Sequence, residues 1–182
     1  MTTDGVRRLN WGCGSHPEPG WINSDRKEGP GIDISCDIRS GLPVPDGSFD
    51  YVVANHALPE VPYPDLVATL TELRRVIAPG GLLRLSLPSL EAAFQAYQRG
   101  DRDFFLIPDQ DAMTLGGKLI TYLVWYGYSR TMFVPEFAEE LLHKAGFSSV
   151  HHVALGQTVG PYPGIVELDN RPLESFFVEA LR

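Results

Sequence analysis

The sequence predicts an α/β domain built on a mainly parallel sheet, and three observations support this. Apolar runs typical of strands alternate with segments that carry apolar residues at helical spacing. With 182 residues, 43% of them hydrophobic and 21% charged, the chain suits one domain with a core large enough to fold alone. The first predicted strand ends in a glycine turn, as in sheets that bind nucleotides. We therefore expect residues 1–182 to form a single domain.

The first third of the chain is rich in Gly and Pro and predicts strands with little helix between them. The candidate strands are residues 8–11, 21–24, 32–36 and 49–54. Only residues 15–20 separate the glycine turn from the second strand, and only RKEGPG, residues 26–31, joins the second strand to the third. A crossover helix needs about 10–12 residues. We therefore expect the early helices to be missing.

The remainder alternates between clear helices and strands. A helix beginning near Pro64 is predicted by an apolar stripe and ended by Pro79-Gly80-Gly81. The stripe consists of Leu66, Leu70, Leu73 and Ile77. The later elements are a strand at 82–88, a helix from Ser89 to Gly100, a helix around 115–123, a helix at 135–145, and strands at 150–155 and 175–181. Residues 101–131, between the fifth and sixth strands, are interpreted as a substrate cap.

Charge and composition exclude several classes of protein. The formal net charge of −8 argues against general affinity for nucleic acid or an anionic membrane, because both need clustered Lys and Arg. No stretch reaches the ~18 apolar residues of a membrane span, and the N-terminal MTTDGVRR has no apolar signal core. Cys13 and Cys36 form no metal-spaced cluster with His, so we expect no metal. We expect a reduced, cytoplasmic protein.

The glycine turn Gly12-Cys13-Gly14 lets backbone N–H groups approach a ligand closely. Dinucleotide sites add a third glycine that opens a helix over the pyrophosphate, and residues 15–17 here are Ser-His-Pro. A pyrophosphate cradle is therefore a poor fit. Asp25, after the second strand, is placed to bind a ribose diol, and Asp37, after the third, to accept from an adenine amine. Taken alone, each carboxylate is better explained as a strand-end cap or turn residue, and the two become more convincing as ligands together with the glycine turn.

Taken together, these features resemble the class I S-adenosylmethionine-dependent methyltransferases, in particular the methyltransferase type 11 group. The matching segments are LNWGCG at 9–14, GWINSD at 20–25, CDI at 36–38, LPVPDGSFDYVVANHAL at 42–58, LRRVIAPGGLLRLSLP at 73–88 and FVPEFAEELLHKAGFSSV at 133–150. The resemblance implies a Rossmann-like sheet of seven strands with an antiparallel last strand, a helical cap before the sixth strand, and S-adenosylmethionine as cofactor. That cofactor has no pyrophosphate, which agrees with the missing helix.

The resemblance also implies a set of cofactor-binding residues. Gly12, Cys13 and Gly14 would contact the methionine part of the cofactor, and Asn55 would lie near its methionine end. Asp25 would bind the ribose, and Asp37 and the Ile38 backbone would contact the adenine. Asn10 stands where the family usually has an acid. Asn10 keeps hydrogen-bonding capacity but brings no charge for the cofactor's ammonium. The family's frequent Leu-Glu-His after the fourth strand is Leu58-Pro59-Glu60 here.

The expected reaction is in-line methyl transfer to a small-molecule acceptor, with oxygen favoured over other atoms and a glycan-type acceptor only a hypothesis. Positioning supplies much of such catalysis, and a base is needed only when the nucleophile is protonated. His56 is the candidate base, although a single His beside a pocket is more often a structural hydrogen-bonder. Trp125, Tyr126, Tyr128 and Arg130 are the candidate substrate residues. These aromatic residues could instead pack within the cap or form a homodimer surface.

Two other classes of function stay open. The chain could be a non-catalytic binding module that keeps the fold, since Asn10 and the Leu-Pro-Glu sequence depart from the family pattern. A nicotinamide-dependent oxidoreductase or sugar-nucleotide enzyme is disfavoured by the missing third glycine, the missing helix and the lack of a Tyr-x-x-x-Lys pair.

Overall fold

A seven-stranded sheet runs through the computed structural model, which describes residues 5–182. The strands are β1 Arg8–Trp11, β2 Ile22–Asp25, β3 Ile34–Ser35, β4 Phe49–Asn55, β5 Ile77–Pro88, β6 Ser149–Val153 and β7 Ser175–Leu181. Their order is β3-β2-β1-β4-β5-β7-β6. The first five strands pair in parallel, and β7 is antiparallel to both β5 and β6. The predicted seven-stranded, mainly parallel sheet with an antiparallel last strand is confirmed. The predicted domain, residues 1–182, and the N-terminal segment MTTDGVRR both include residues 1–4, which lie outside the described residues.

Within residues 5–182, four α-helices accompany the sheet: α1 Leu66–Val76, α2 Leu90–Arg99, α3 Leu115–Val124 and α4 Pro135–Lys144. The Ser89 side chain accepts a hydrogen bond from the Ala92 N–H, and Gly100, with φ +71°, ends α2, as predicted. The helix predicted from Pro64 is shorter than expected at both ends. Pro64 lies in a 3-10 turn before α1, and Ile77 is already part of β5, where it pairs with Phe49 of β4. No helix within residues 5–182 has the length and apolar character needed to cross a bilayer.

The connections before and after β2 contain no helix, as expected from their length. β3 is shorter than the predicted 32–36. The Asp33 N–H donates to the carbonyl of Asn23, and the Asp33 carboxylate accepts from the Asn23 N–H, each at 2.8 Å. These turn-like bonds hold the chain beside β2 before the regular ladder begins at Ile34.

Strand β5 is buried on both faces, which the predicted alternation over 82–88 does not show. Leu83, Leu85 and Leu87 pack into the main core under the helices. On the opposite face Leu82 belongs to a second apolar cluster with Ile165. Arg84 lies on that second face and is also fully buried. Its burial results from the long connection between β6 and β7, residues 154–174, which covers this face.

Arg84 is the centre of a buried charge cluster. Its Nε and Nη2 donate to the Asp169 carboxylate at 2.7 and 2.5 Å, and its Nη1 donates to Glu179 Oε1 at 2.7 Å. The second oxygen of Glu179 accepts from the Thr158 hydroxyl and the Val159 N–H. Since none of the three charged side chains is more than 4% exposed, they depend on one another for solvation. The cluster anchors residues 154–174 to the centre of the sheet.

We predict that Arg84→Met lowers the free energy of unfolding by about 3–5 kcal/mol, because two carboxylates would then stay buried without their partner. Urea denaturation measures this loss. The control is Arg7→Met, which removes an ion pair with Asp50. The Arg7 side chain is 54% exposed, so this loss should cost ~1 kcal/mol or less. Equal losses in the two variants would contradict the anchoring role of the cluster.

Candidate functional site

A cavity of about 560 Å³ lies at the carboxyl edge of the parallel strands. Residues at or just after the ends of all five parallel strands contribute to its wall, and that volume suits a small-molecule ligand. Because β7 is antiparallel, the residues that precede it reach this same edge. The cap between β5 and β6 completes the wall.

Most of the predicted site residues meet at this cavity. They are Gly12, Cys13, Gly14, Asp25, Asp37, Ile38, Asn55, His56, Trp125, Tyr128 and Arg130. Asn10 and Tyr126 are not on the wall. Asn10 is 5% exposed, and its side-chain N–H donates to Asn23 Oδ1 at 3.0 Å, so it supports the site from within the sheet. The Tyr126 hydroxyl donates to Asp111 at 2.8 Å, which turns this ring out of the cavity.

The glycine turn packs directly against the segment after β4. Gly12 has φ +67°, and its N–H donates to the Ser24 carbonyl at 2.8 Å. A Cβ at Gly12 would lie 2.3 Å from the Cβ of Ala57. Gly14 also has positive φ, +56°, and its N–H donates to Asp25 Oδ2 at 2.9 Å. The turn therefore needs glycine for its backbone at both positions and for close packing at Gly12.

The two carboxylates implied as cofactor ligands differ in their surroundings. Each oxygen of Asp25 accepts one backbone N–H, from Gly14 and from Lys27, which leaves accepting capacity on both. Asp37 is held by the guanidinium and the backbone N–H of Arg39. The hydrogen bonds from Arg39 lower the pKa of Asp37 to about 2. Asp37 is therefore ionised at neutral pH, but Arg39 already occupies part of its accepting capacity.

Asn55, the last residue of β4, presents a buried polar atom without a partner. Its amide N–H donates to the Leu168 carbonyl at 2.6 Å, which fixes the side chain. Its Oδ1 is buried and accepts no hydrogen bond from the described residues. Because buried polar atoms in native proteins are nearly always satisfied, this unpaired atom marks Asn55, a residue of the cavity wall, as a candidate partner for a ligand that donates an N–H.

His56 is held in one orientation by two neighbours. Its Nε2 lies 2.7 Å from the Ser175 hydroxyl, and Nη1 of Arg171 lies 3.5 Å from its Nδ1. A guanidinium only donates, so Nδ1 is the acceptor and the ring proton sits on Nε2. Burial, together with the nearby charge of Arg171, lowers the pKa of His56 to about 3. The predicted base is on the wall, but it is neutral and weakly basic at neutral pH.

Glu174 is a site residue that the sequence did not single out, and it is paired with Arg171. The Glu174 side chain is 4% exposed, and Arg171 Nη1 donates to its Oε1 at 3.2 Å. Burial raises the pKa of Glu174, while the charge of Arg171 acts in the opposite direction. The Arg171 guanidinium also lies over the Trp125 ring, 5.2 Å from its centroid. The predicted antiparallel β7 was the one signal that residue 174 would reach this edge.

Backbone strain is concentrated beside the same cavity. Among the described non-glycine residues, φ is positive at His56, Trp125, Tyr126 and Arg171. His56 and Trp125 both contact Arg171, and these three side chains belong to the cavity wall. Such conformations cost about 1–3 kcal/mol each and cluster at functional sites, which supports a functional role for this part of the wall.

Comparison with known proteins points to one kind of domain. Residues 11–85 match the family model for a methyltransferase domain. A probable methyltransferase, ltbC, of Aspergillus luteorubrus is 48% identical over 60 residues, covering 31% of this chain and 21% of that protein. A demethylmenaquinone methyltransferase of Listeria monocytogenes is 32% identical over 121 residues, covering 62% and 47%. The chain thus spans about a fifth and about half of the lengths of these two relatives.

Solved structures share the fold over nearly the whole chain. A methyltransferase from Thermotoga maritima that depends on S-adenosylmethionine has a TM-score of 0.60, covers 97% of this chain and 82% of its own, and is 18% identical. At that identity the similarity shows the architecture, which is the class I methyltransferase fold.

We predict that Gly12→Ala destabilises the protein more than Gly14→Ala. Both substitutions place a side chain at positive φ, which costs ~1–2 kcal/mol, but only the first also collides with Ala57. A Cβ at Gly14 meets nothing within 4 Å, which makes Gly14→Ala the matched control. Urea denaturation of both variants gives the comparison. Equal stabilities would mean that the turn moves away from Ala57 at little cost.

We predict that His56→Gln flattens the pH dependence of stability on the acid side. The unfolded protein takes up a proton near pH 6.5, whereas folded His56 does so only near pH 3. Folding stability from this group is therefore present above pH 6.5 and is lost as pH falls toward 3, at up to about 1.4 kcal/mol per pH unit for one proton. Urea denaturation between pH 7 and pH 4 measures the slope. If the stability of wild type and of His56→Gln fell equally with pH, the low pKa of folded His56 would be contradicted.

Proposed function

We propose that this chain, which has the class I methyltransferase fold and carries a methyltransferase domain at residues 11–85, transfers a methyl group from S-adenosylmethionine to a small-molecule acceptor, with oxygen as the acceptor atom. One observation carries the proposal. The glycine turn, Asp25 and Asn55 all line one cavity of suitable volume, and the Asn55 amide oxygen has no partner among the described residues. We further propose that residues 1–182 act as one domain with residues 101–131 as its cap.

The residues of the cavity fit this cofactor. When bound, S-adenosylmethionine supplies a methyl group on a sulfonium, from which a neutral thioether leaves readily. Asn55 Oδ1 would accept from its ammonium, and the backbone at Gly12 and Cys13 would border its methionine part. Asp25 would accept from the ribose hydroxyls, since each of its oxygens has a lone pair left. Asp37 would meet the adenine amine with the capacity that Arg39 leaves.

The acceptor half of the cavity is formed by the cap. Backbone N–H groups of Arg130 and Thr131 donate to the Pro59 carbonyl at 2.8 and 3.3 Å, which ties the cap to the segment after β4. Trp125 and Tyr128 present aromatic surface to the cavity. Such a wall suits a flat or cyclic acceptor. The relative named as a demethylmenaquinone methyltransferase agrees with a small cyclic acceptor, although the chain spans about half of that protein.

We predict that calorimetric titration shows micromolar binding of S-adenosylmethionine and S-adenosylhomocysteine, and that Asp25→Asn weakens it at least ~10-fold. The substitution removes charge-assisted hydrogen bonds, which are worth ~1.5–3 kcal/mol each. The control is Glu28→Gln, which removes the same charge from an exposed residue of the same loop and should leave affinity within ~2-fold, as is usual for surface changes.

Failure of the wild-type protein to bind either compound would overturn the enzymatic proposal. The chain would then be treated as a methyltransferase fold kept for an interaction with another molecule. Equal weakening by Asp25→Asn and Glu28→Gln would locate the ribose elsewhere in the cavity.

A further inference from the structure

We propose that Glu174 is the catalytic proton acceptor of the acceptor site, that Arg171 positions it, and that the acceptor carries its nucleophilic hydroxyl on an aromatic ring. This inference rests on the proposed function and names the acceptor class and the base of the same site.

The carboxylate of Glu174 is buried but only half satisfied. Its Oε1 accepts from Arg171, while its Oε2 accepts no hydrogen bond from the described residues. The side chain is on the cavity wall, immediately before β7. Holding a carboxylate in this state costs free energy unless a ligand supplies a donor. A hydroxyl that enters the cavity is such a donor.

The main chain around Glu174 is fixed independently of this carboxylate. The Glu174 carbonyl accepts from the Ser89 N–H at 2.8 Å and from the Tyr122 hydroxyl at 3.0 Å. These bonds connect the residue to the start of α2 and to the cap helix α3. The carboxylate is thus placed on a rigid frame between the sheet edge and the cap, as precise proton transfer requires.

Other titratable groups of the cavity are less suited to accept a proton. His56 faces Arg171 with its lone pair and has a pKa of about 3. Burial raises the pKa of the Cys13 thiol to about 11, which keeps it protonated. Glu60 also lines the cavity and desolvation raises its pKa, but the residue is exposed, whereas Glu174 is 3% exposed. Glu174 combines burial, a free lone pair and a raised pKa, the combination expected of a general base.

The chemistry of a carboxylate base selects the acceptor class. A phenol, like the Tyr side chain, has a pKa of about 10, whereas water, which is close to an aliphatic hydroxyl, has a pKa of about 15.7. Partial transfer to a carboxylate is therefore much easier from the ring hydroxyl than from an aliphatic one. The wall agrees, because Tyr122, Trp125 and Tyr128 line the same cavity together with Pro59 and Pro88. These residues offer flat apolar surface to a ring.

In the step that we propose, the ring O–H gives its proton to Glu174 as its oxygen forms a bond to the methyl carbon. The carbon–sulfur bond breaks and its electron pair stays on sulfur. The products are an aryl methyl ether, S-adenosylhomocysteine and protonated Glu174, which then releases its proton to solvent. Arg171 keeps the carboxylate oriented and opposes the effect of burial on its pKa.

The test compares wild type with Glu174→Gln on two probes, catechol and the more acidic 4-nitrocatechol. We expect Glu174→Gln to bind S-adenosylmethionine as wild type does, but to lower kcat for catechol by at least ~100-fold, the usual range for loss of a general base. The loss should be much smaller for 4-nitrocatechol, which ionises without help. Calorimetry of catechol with the protein loaded with S-adenosylhomocysteine provides a readout without turnover, and Glu174→Gln should weaken that binding. The exposed Glu167→Gln of the same connection is the control.

The outcomes separate the two proposals. If the wild-type protein does not bind S-adenosylmethionine, the proposed function itself is overturned. Binding without methylation of either probe, or catechol turnover by Glu174→Gln within about threefold of wild type, would overturn only this inference, because a missing base costs far more.

Arg171→Gln is the second variant, and it keeps the inference testable if Glu174→Gln does not fold. Titratable or charged groups around Glu174 are Arg171 itself, His56 beyond it and Tyr122 from α3. Removing the Arg171 charge raises the pKa of Glu174, so the acid limb of kcat/KM should move to higher pH. The double variant with His56→Gln should show the same shift, and an unmoved limb in both would contradict the role of Glu174.

Discussion

The buried contact between Arg84 and its two carboxylates is the constraint on which the site depends. Arg84 extends from the centre of the sheet, and Asp169 belongs to the long connection between β6 and β7. Fixing Asp169 also fixes its neighbours in the chain. Leu168 supplies the carbonyl that orients Asn55, and Arg171 and Glu174 follow within five residues. A charge cluster whose three residues do not line the cavity therefore holds both the methionine end and the acceptor end of the proposed site.

The connections around β2 contain no helix, and hydrogen bonds from side chains satisfy their backbone instead. The Asn23 amide accepts from the Asn10 side chain and from the Glu18 N–H, and it donates back to the Glu18 carbonyl. One asparagine thereby satisfies the short connection between β1 and β2. Asp33 does the same for the connection that follows β2. The connections on the proposed cofactor side of the cavity are short and satisfied by hydrogen bonds. Ordering them on folding therefore costs little conformational entropy.

The two halves of the cavity arise in different ways. The cofactor half is assembled from consecutive strand ends, so its residues follow one another in the first 56 positions of the chain. The acceptor half combines the cap with the residues before β7, and Arg171 joins the two by contacting both Trp125 and His56. The strained backbone at these three residues shows that the surrounding packing imposes their positions. The proposed acceptor site therefore lies in the part of the chain with the least local regularity.

Several features could be predicted from the sequence because they depend on interactions within a few residues. The strand and helix order, the cap at Ser89, the end of α2 at Gly100 and the glycine turn all follow from local backbone preferences and apolar spacing. The resemblance of the motifs to a known family added the antiparallel direction of the last strand. The same reasoning placed Asp25, Asp37 and Asn55 at strand ends, where the cavity is found.

Tertiary structure decided the rest, because burial and charge are set by residues distant in the chain. Arg84 looked like an ordinary polar position of an alternating strand until Asp169, 85 residues later, covered it. Asn10 and Tyr126 have the expected chemistry, but nearby partners turn them away from the cavity. The basicity of His56 is suppressed by burial and by Arg171, which is 115 residues away in sequence. Sequence patterns identify which groups are available, and only packing determines their solvation and hence their reactivity.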